Sequence, residues 1–193
     1  MKEPPLVVEV DRSLVSTSLL WEGWIRLLFR RPAEAARSLA ALFRGRSTFA
    51  RRVAQAASLT AEELPFNPAV LDLVRRAKSE GRPVVLASSA HREQVEEIAG
   101  HLGDDGASGP DAARVLDSST GPEALRSRYG SFDYVGGADP DRSVLEAARE
   151  SYVVIASGEG GSGGGETTRV EVERPTLSVA LWRAARPHQW AKN

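Results

Sequence analysis

The chain has 193 residues, 41% hydrophobic and 26% charged, with a formal net charge of −1 and no cysteine. That mix fits one ordinary globular domain with room for a small insertion. The near-neutral charge gives no pull toward nucleic acid, and the lack of thiols excludes disulfides, thiol nucleophiles and thiolate metal sites.

The first residues lack the apolar core of a secretory signal and turn acidic at Glu9 and Asp11. No apolar run is long enough to cross a bilayer, so a soluble, cytoplasmic chain is expected. Pro4 and Pro5 precede a β-branched run, Leu6 to Val10, which predicts a buried strand opening into a polar loop at Asp11, Arg12 and Ser13. From Leu19 to Ala57 the spacing turns helical: Leu20, Trp24, Leu27 and Leu28, then Leu39, Leu42 and Phe43, then Phe49 and Val53. Pro32 and Gly45 divide the stretch into about three short helices. Thr60 to Glu63 has the form of a capping box. Asn67 and Pro68 start a helix to about Ser79, stopped at Gly81. A second strand, Pro83 to Ala87, leads into Ser88 and Ser89, and an amphipathic helix follows from about Arg92 to Leu102, ended by Gly103.

Beyond Asp104 the chain is polar and irregular apart from a short strand at 113–116. A helix at 123–129, a strand at 132–135, a helix at 143–150 and a last strand at 152–156 complete the folded part. Glycines at 158, 160, 161, 163, 164 and 165 mark a flexible linker. After it, residues 177–185 can form a helix. There is no internal repeat.

Strands alternating with helices predict a parallel sheet with helices on both faces, and in such sheets ligands bind beyond the carboxyl ends of the strands. Three of those ends carry polar groups: Glu9 and Asp11, Ser88 and Ser89, and Asp139 and Asp141. Carboxylates from two strand ends suit Mg2+, which takes oxygen ligands; the plainer explanation is acidic loop entry. The two serines suit a phosphate cradle or a simple helix cap. Gly136 and Gly137 ahead of the two aspartates suit a metal-binding turn or a tight left-handed turn with a cap. His91, His101 and His188 have no metal-ligand spacing, and no nucleophile elbow is present. Between Leu20 and Arg52, eight arginines face two glutamates, a net +6. With Trp21, Trp24 and Phe29 nearby, this suits either anionic lipid headgroups or a solvated arginine face.

In chain order, strand–acid–x–acid, helical insertion, strand–serine and Gly-Gly-x-Asp-x-Asp resemble the haloacid dehalogenase-like (HAD) superfamily over roughly residues 6–157. Glu9 to Leu14 stands where that family has Asp-x-Asp-Gly-Thr-Leu. The phrases Leu19 to Glu22, Gly45-Arg46, Leu64 to Asn67 and Phe132 to Tyr134 resemble the HAD-like module ahead of UbiA-type membrane prenyltransferases. The tail Arg186 to Asn193 resembles the segment leading such enzymes into their first membrane helix.

The resemblance implies an α/β fold, a parallel Rossmann-like HAD sheet with helices on both faces and a small helical cap insertion at about 16–66. It implies a domain at 1–157, a linker at 158–168 and a tail at 169–193. Glu9 would occupy the nucleophile position and Asp11 the acid/base position. Ser88, Ser89 and Arg126, or Arg114, would hold phosphate, and Glu9, Asp11 and Asp141 would hold Mg2+, with Asp139 as substitute. Glu9 is one methylene longer than aspartate, which displaces an attacking oxygen. Arg12 puts bulk where the family has glycine, and the family's phosphate-binding lysine has no counterpart, since the lysines are Lys2, Lys78 and Lys192.

Three functions follow. One is a HAD-like phosphatase-related domain with degenerate motifs, an accessory module of a UbiA-type prenyltransferase at the inner face of the membrane. Another is an active Mg2+-dependent phosphomonoesterase acting on a sugar phosphate or prenyl phosphate. The third is a non-catalytic regulatory module that binds a small phosphorylated ligand.

Overall fold

The computed structural model describes residues 3–57, 59–88, 92–104, 114–117, 120–137, 139–156 and 167–172. At its centre lies a sheet of β1 (Leu6–Glu9), β2 (Val84–Ser88), β3 (Arg114–Asp117), β4 (Asp133–Gly136), β5 (Ser151–Ala156) and β6 (Thr167–Val172). Their order is β3-β2-β1-β4-β5-β6, and every neighbouring pair is parallel.

β1 sits in the middle, Leu6 pairing with Val84 on one side and Asp133 on the other. Successive residues of a strand face opposite ways, and here both ways lead into core. Leu6 and Val8 join Val84, Leu86 and Val135 on one face. Val7 joins Val85 and Tyr134 on the other. A strand dry on both sides reads as an unbroken apolar run, which is what Leu6 to Val8 is.

The helices are α1 (Leu19–Arg30), α2 (Pro32–Ala40), α3 (Arg46–Ala57), α4 (Pro68–Ser79), α5 (Arg92–Asp104), α6 (Pro122–Tyr129) and α7 (Arg142–Ala147). α4 and α5 cover the first face through Val70, Val74, Val95 and Ile98. α6 and α7 cover the second through Leu125 and Val144. Asn67 caps α4 as expected, its Oδ1 accepting from the Ala69 N–H at 3.1 Å, and Gly81 after the helix has φ +71°.

The first three helices form the cap, divided where Pro32 and Gly45 predict. A 3₁₀ turn, Ala41–Arg44, joins α2 to α3. α1 and α3 approach closely at Gly23, where a Cβ would come within 3.0 Å of the Val53 side chain. Leu27, Ala35, Phe49 and Val53 carry the core of the main domain up into the cap. The two chain crossings into it run side by side: Val15 bridges Phe66, and the Ser16 N–H donates to the Pro65 carbonyl at 3.0 Å. That pairing sets the cap over the carboxyl end of β1.

Several details differ from the sequence reading. Thr60 does not cap backbone; its hydroxyl donates to the Glu63 carboxylate at 2.8 Å, and Ala61–Glu63 is a 3₁₀ turn. α5 continues through Gly103 to Asp104. α7 stops at Ala147, short of Glu150. Arg149 is taken instead by β4, its N–H donating to the Phe132 carbonyl at 2.8 Å and its guanidinium to both oxygens of buried Asp133 at 2.9 and 2.8 Å. The sheet also gains β6, in residues read as the end of the linker and the start of the tail. Most of the expected linker, the helix at 177–185 and the segment Arg186 to Asn193 lie outside the described residues.

Candidate functional site

The chain leaves β1 for β2 and β3 on one side, then returns to β4, β5 and β6 on the other. A reversal of this kind opens a crevice at the carboxyl ends of the two strands flanking it, here β1 and β4. Glu9 is the last residue of β1, and Gly137 directly follows β4. The Gly137 N–H donates to Glu9 Oε2 at 3.0 Å, and the Tyr134 hydroxyl donates to the same oxygen at 3.5 Å. The approach needs glycine, because a Cβ on Gly137 would stand 3.1 Å from the Arg12 carbonyl oxygen. Neither Gly136 nor Gly137 has a positive φ. Close packing, and not a left-handed turn, explains this pair.

Arg12 does adopt the left-handed region, with φ +60°. For a residue bearing a Cβ this conformation costs about 1–2 kcal/mol. It turns the loop back so that the Arg12 N–H reaches the Thr17 carbonyl at 3.2 Å. Asp11 ties the site to the cap and to β2. Its Oδ1 accepts from the Leu19 N–H at 2.9 Å, satisfying a donor in the first turn of α1. Its Oδ2 accepts from the buried Ser88 hydroxyl, also at 2.9 Å.

Burial raises the pKa of Glu9 above the ordinary carboxylate range, and the charge of Asp11 adds to the rise; the Gly137 N–H, Tyr134 and Arg12 offset part of it. Burial, together with the carboxylates of Glu9 and Asp141, raises the Tyr134 hydroxyl well above its usual value, so it remains a donor.

Above these groups lies a cleft of about 640 Å³. Its core side carries Glu9, Asp11, Gly137 and Asp139, and its cap side carries Arg46, Ser47 and Arg51 of α3, with Arg12 also in the wall. Leu20, Val53 and Ala54 add an apolar strip. The cleft thus brings carboxylates and guanidinium groups to one space.

The structure gathers some of the expected residues and not others. Glu9, Asp11 and Ser88 meet. Asp139 lines the cleft, whereas Asp141 opens on a smaller neighbouring pocket with Glu9 and Tyr134. The Asp141 Oδ1 caps α7, accepting from the Ser143 N–H at 2.9 Å and the Ser143 hydroxyl at 2.6 Å, and these bonds lower its pKa. Among the described residues no three acidic, histidine or cysteine side chains group to hold a metal ion. Asp141, with Oδ1 engaged by Ser143, shares the smaller pocket with Glu9, while Asp11 and Asp139 line the main cleft.

Arg126 lies away from the cleft. It is exposed, and its guanidinium donates to the Ala147 carbonyl at 3.3 and 3.2 Å. The carbonyls at the end of α7 attract it, as helix C-termini attract cations. Ser89 and His91 lie outside the described residues, as does the side chain of Arg114. His101 stacks on Phe66 with ring centroids 5.7 Å apart. The sequence reading missed Tyr134 and the cleft-facing role of Arg46 and Arg51.

A doubly wound parallel sheet, a site at its switch point and a helical cap between the first strand and the next helix define the class: an α/β domain of the HAD Rossmann-like type. The family description "haloacid dehalogenase-like hydrolase" matches residues 9–153. The chain belongs to that family. An uncharacterized protein of Sinorhizobium fredii is 31% identical over 198 residues, which cover 98% of this chain and 38% of that protein. The chain therefore spans well under half the length of this relative. Among solved structures, a protein of unknown function from Bordetella pertussis superposes with a TM-score of 0.53 at 14% identity, covering 83% of this chain and 93% of the other. Phosphoserine phosphatase from T. onnurineus superposes with a TM-score of 0.50 at 16% identity, covering 96% of each chain. At such identities the likeness is one of fold. Among the described residues no helix is long and apolar enough to cross a membrane.

Proposed function

We propose that this domain holds a small phosphorylated ligand in the cleft between core and cap and does not hydrolyse it. The observation that carries the proposal is the pairing within one cleft of a retained site, Asp11 bonded to Ser88, with Arg12, Arg46 and Arg51. Guanidinium groups match phosphate oxygens in geometry and charge, and the nearby apolar strip suits a ligand with a hydrocarbon part.

Glu9 argues against turnover. Its side chain is one methylene longer than aspartate, and Gly137 and Tyr134 both donate to its Oε2, which displaces an attacking oxygen. We place the module in a longer protein, beside a membrane prenyltransferase at the inner face of the membrane. The resemblance to modules preceding UbiA-type enzymes supports that setting, and the 38% coverage of the Sinorhizobium relative supports the longer chain alone.

The meeting of Ser88 and Asp11, with Asp139 in the same cleft, favours a second function, an active Mg2+-dependent phosphomonoesterase. A single assay separates the two. With para-nitrophenyl phosphate and Mg2+ or Mn2+, the wild-type chain is expected to release no phosphate above the blank. Turnover abolished by Glu9→Ala would overturn the proposal in favour of hydrolysis.

A further inference from the structure

Among the described residues, every large hydrophobic side chain left exposed belongs to the cap. Trp21, Leu28 and Phe29 lie on α1, Leu39 on α2, and Leu42 and Phe43 in the 3₁₀ turn. The helices covering the sheet contribute none. Phe43 is 95% exposed at the tip of that turn.

Arginines are interleaved with these side chains. Arg31, Arg37 and Arg44 are exposed, and Arg31 and Arg44 make no ion pair among the described residues. The charge is polarised as well: residues 20–52 carry +6 in a chain whose total is −1, which leaves −7 on the rest. Arg46 and Arg51 belong to the cleft, but Arg31, Arg37 and Arg44 do not line it.

Arginine and aromatic side chains also occur together at protein interfaces; what favours a bilayer is the net +6 of residues 20–52, with Arg31 and Arg44 in no ion pair among the described residues. Here guanidinium groups alternate with aromatic and aliphatic side chains, and the most exposed of these stands off on a turn. That arrangement suits the layered chemistry of a bilayer surface, anionic headgroups outside and acyl chains just beneath. We infer that the outer face of the cap, centred on Leu42 and Phe43, docks on an anionic lipid bilayer, with the arginines meeting headgroup phosphates. The inference is independent of what the cleft holds.

The test is flotation of the full chain with vesicles of phosphatidylcholine alone or mixed with phosphatidylglycerol. Binding to the mixed vesicles is expected at low salt, falling as salt is raised. Leu42→Ser/Phe43→Ser is expected to weaken it roughly tenfold or more, as for the loss of a buried aromatic side chain. Arg31→Gln/Arg44→Gln is expected to weaken it roughly thirty-fold, at about 1 kcal/mol for each arginine near the surface. Both variants should melt like the wild type, since the altered side chains are exposed. Absence of a preference for the anionic vesicles, or binding unchanged in both variants, would overturn the inference. So would a concentration-dependent dimer that Leu42→Ser/Phe43→Ser disperses, which would assign the face to a second copy of the chain. Failure on vesicles alongside stabilisation by phosphate would remove this inference and leave the cleft proposal standing.

Discussion

The Glu9 carboxylate sits between two donors, yet its burial and the neighbouring charge of Asp11 make ionisation costly in the folded state. The sign of the consequence is definite. With the folded pKa above the unfolded one, the native chain keeps a proton that the unfolded chain has released. Stability therefore falls as pH rises through that interval and then levels off. Glu9→Gln keeps an oxygen to accept from Gly137 and removes the charge. It is expected to melt higher than the wild type at pH 8, with the difference vanishing toward pH 4 where both side chains are neutral; thermal melts across that range check it. Glu9, Asp11 and Ser88 were legible in the sequence because an apolar strand followed by a polar residue fixes where the side chain emerges. The choice between Asp139 and Asp141 was not legible, because it turns on a local contest: Ser143 offers Asp141 two donors within its own helix turn.

At the scale of the element, the three-helix cap was readable from its spacing and from Pro32 and Gly45, but its arginines were not. Composition counts eight of them without saying which face the cleft. Along α3, Arg46, Ala50 and Ala54 lie four apart beside Ser47 and Arg51, all lining the cleft, and that stripe is the signal a helical reading could have used. β6 was missed for a related reason. Only Arg169 to Val172 alternates polar and apolar residues, a stretch too short to stand out after three polar residues and a glycine run. The opposite end of β4 carries a structural site unrelated to the cleft. Buried Asp133 is paired with Arg149 and Arg82. Burial opposes its charge, but the two guanidinium groups outweigh it and lower the pKa. Its contribution is therefore present above the ordinary carboxylate range and lost as pH falls through the lowered folded value. Asp133→Asn removes the charge both arginines share, leaving them the more distant Glu80 and Glu150 at 3.7 Å, and is expected to cost about 3 kcal/mol in urea unfolding at neutral pH, the low end for a broken buried pair, with little change in what the cleft binds.

For the whole molecule, the α/β class and the two-sided sheet followed from the alternation of elements, and the order β3-β2-β1-β4-β5-β6 then put the site at the one reversal in strand order. The sequence could place polar groups at strand ends; only the assembled sheet and cap bring carboxylates and arginines to one space. Charge is divided in the same way, with a basic cap set against an acidic remainder, so one small domain presents a cationic cleft wall inward and a cationic, apolar face outward.

The most direct measurement is the melting temperature of the wild-type chain and of Arg46→Ala/Arg51→Ala in rising inorganic phosphate. A ligand that binds the folded state stabilises it by about 2.7 kcal/mol at a hundred times its dissociation constant. Phosphate is predicted to raise the melting temperature of the wild type, and that rise should be lost in the double variant. An equal rise in both, or none in the wild type, would contradict an anion site between cap and core.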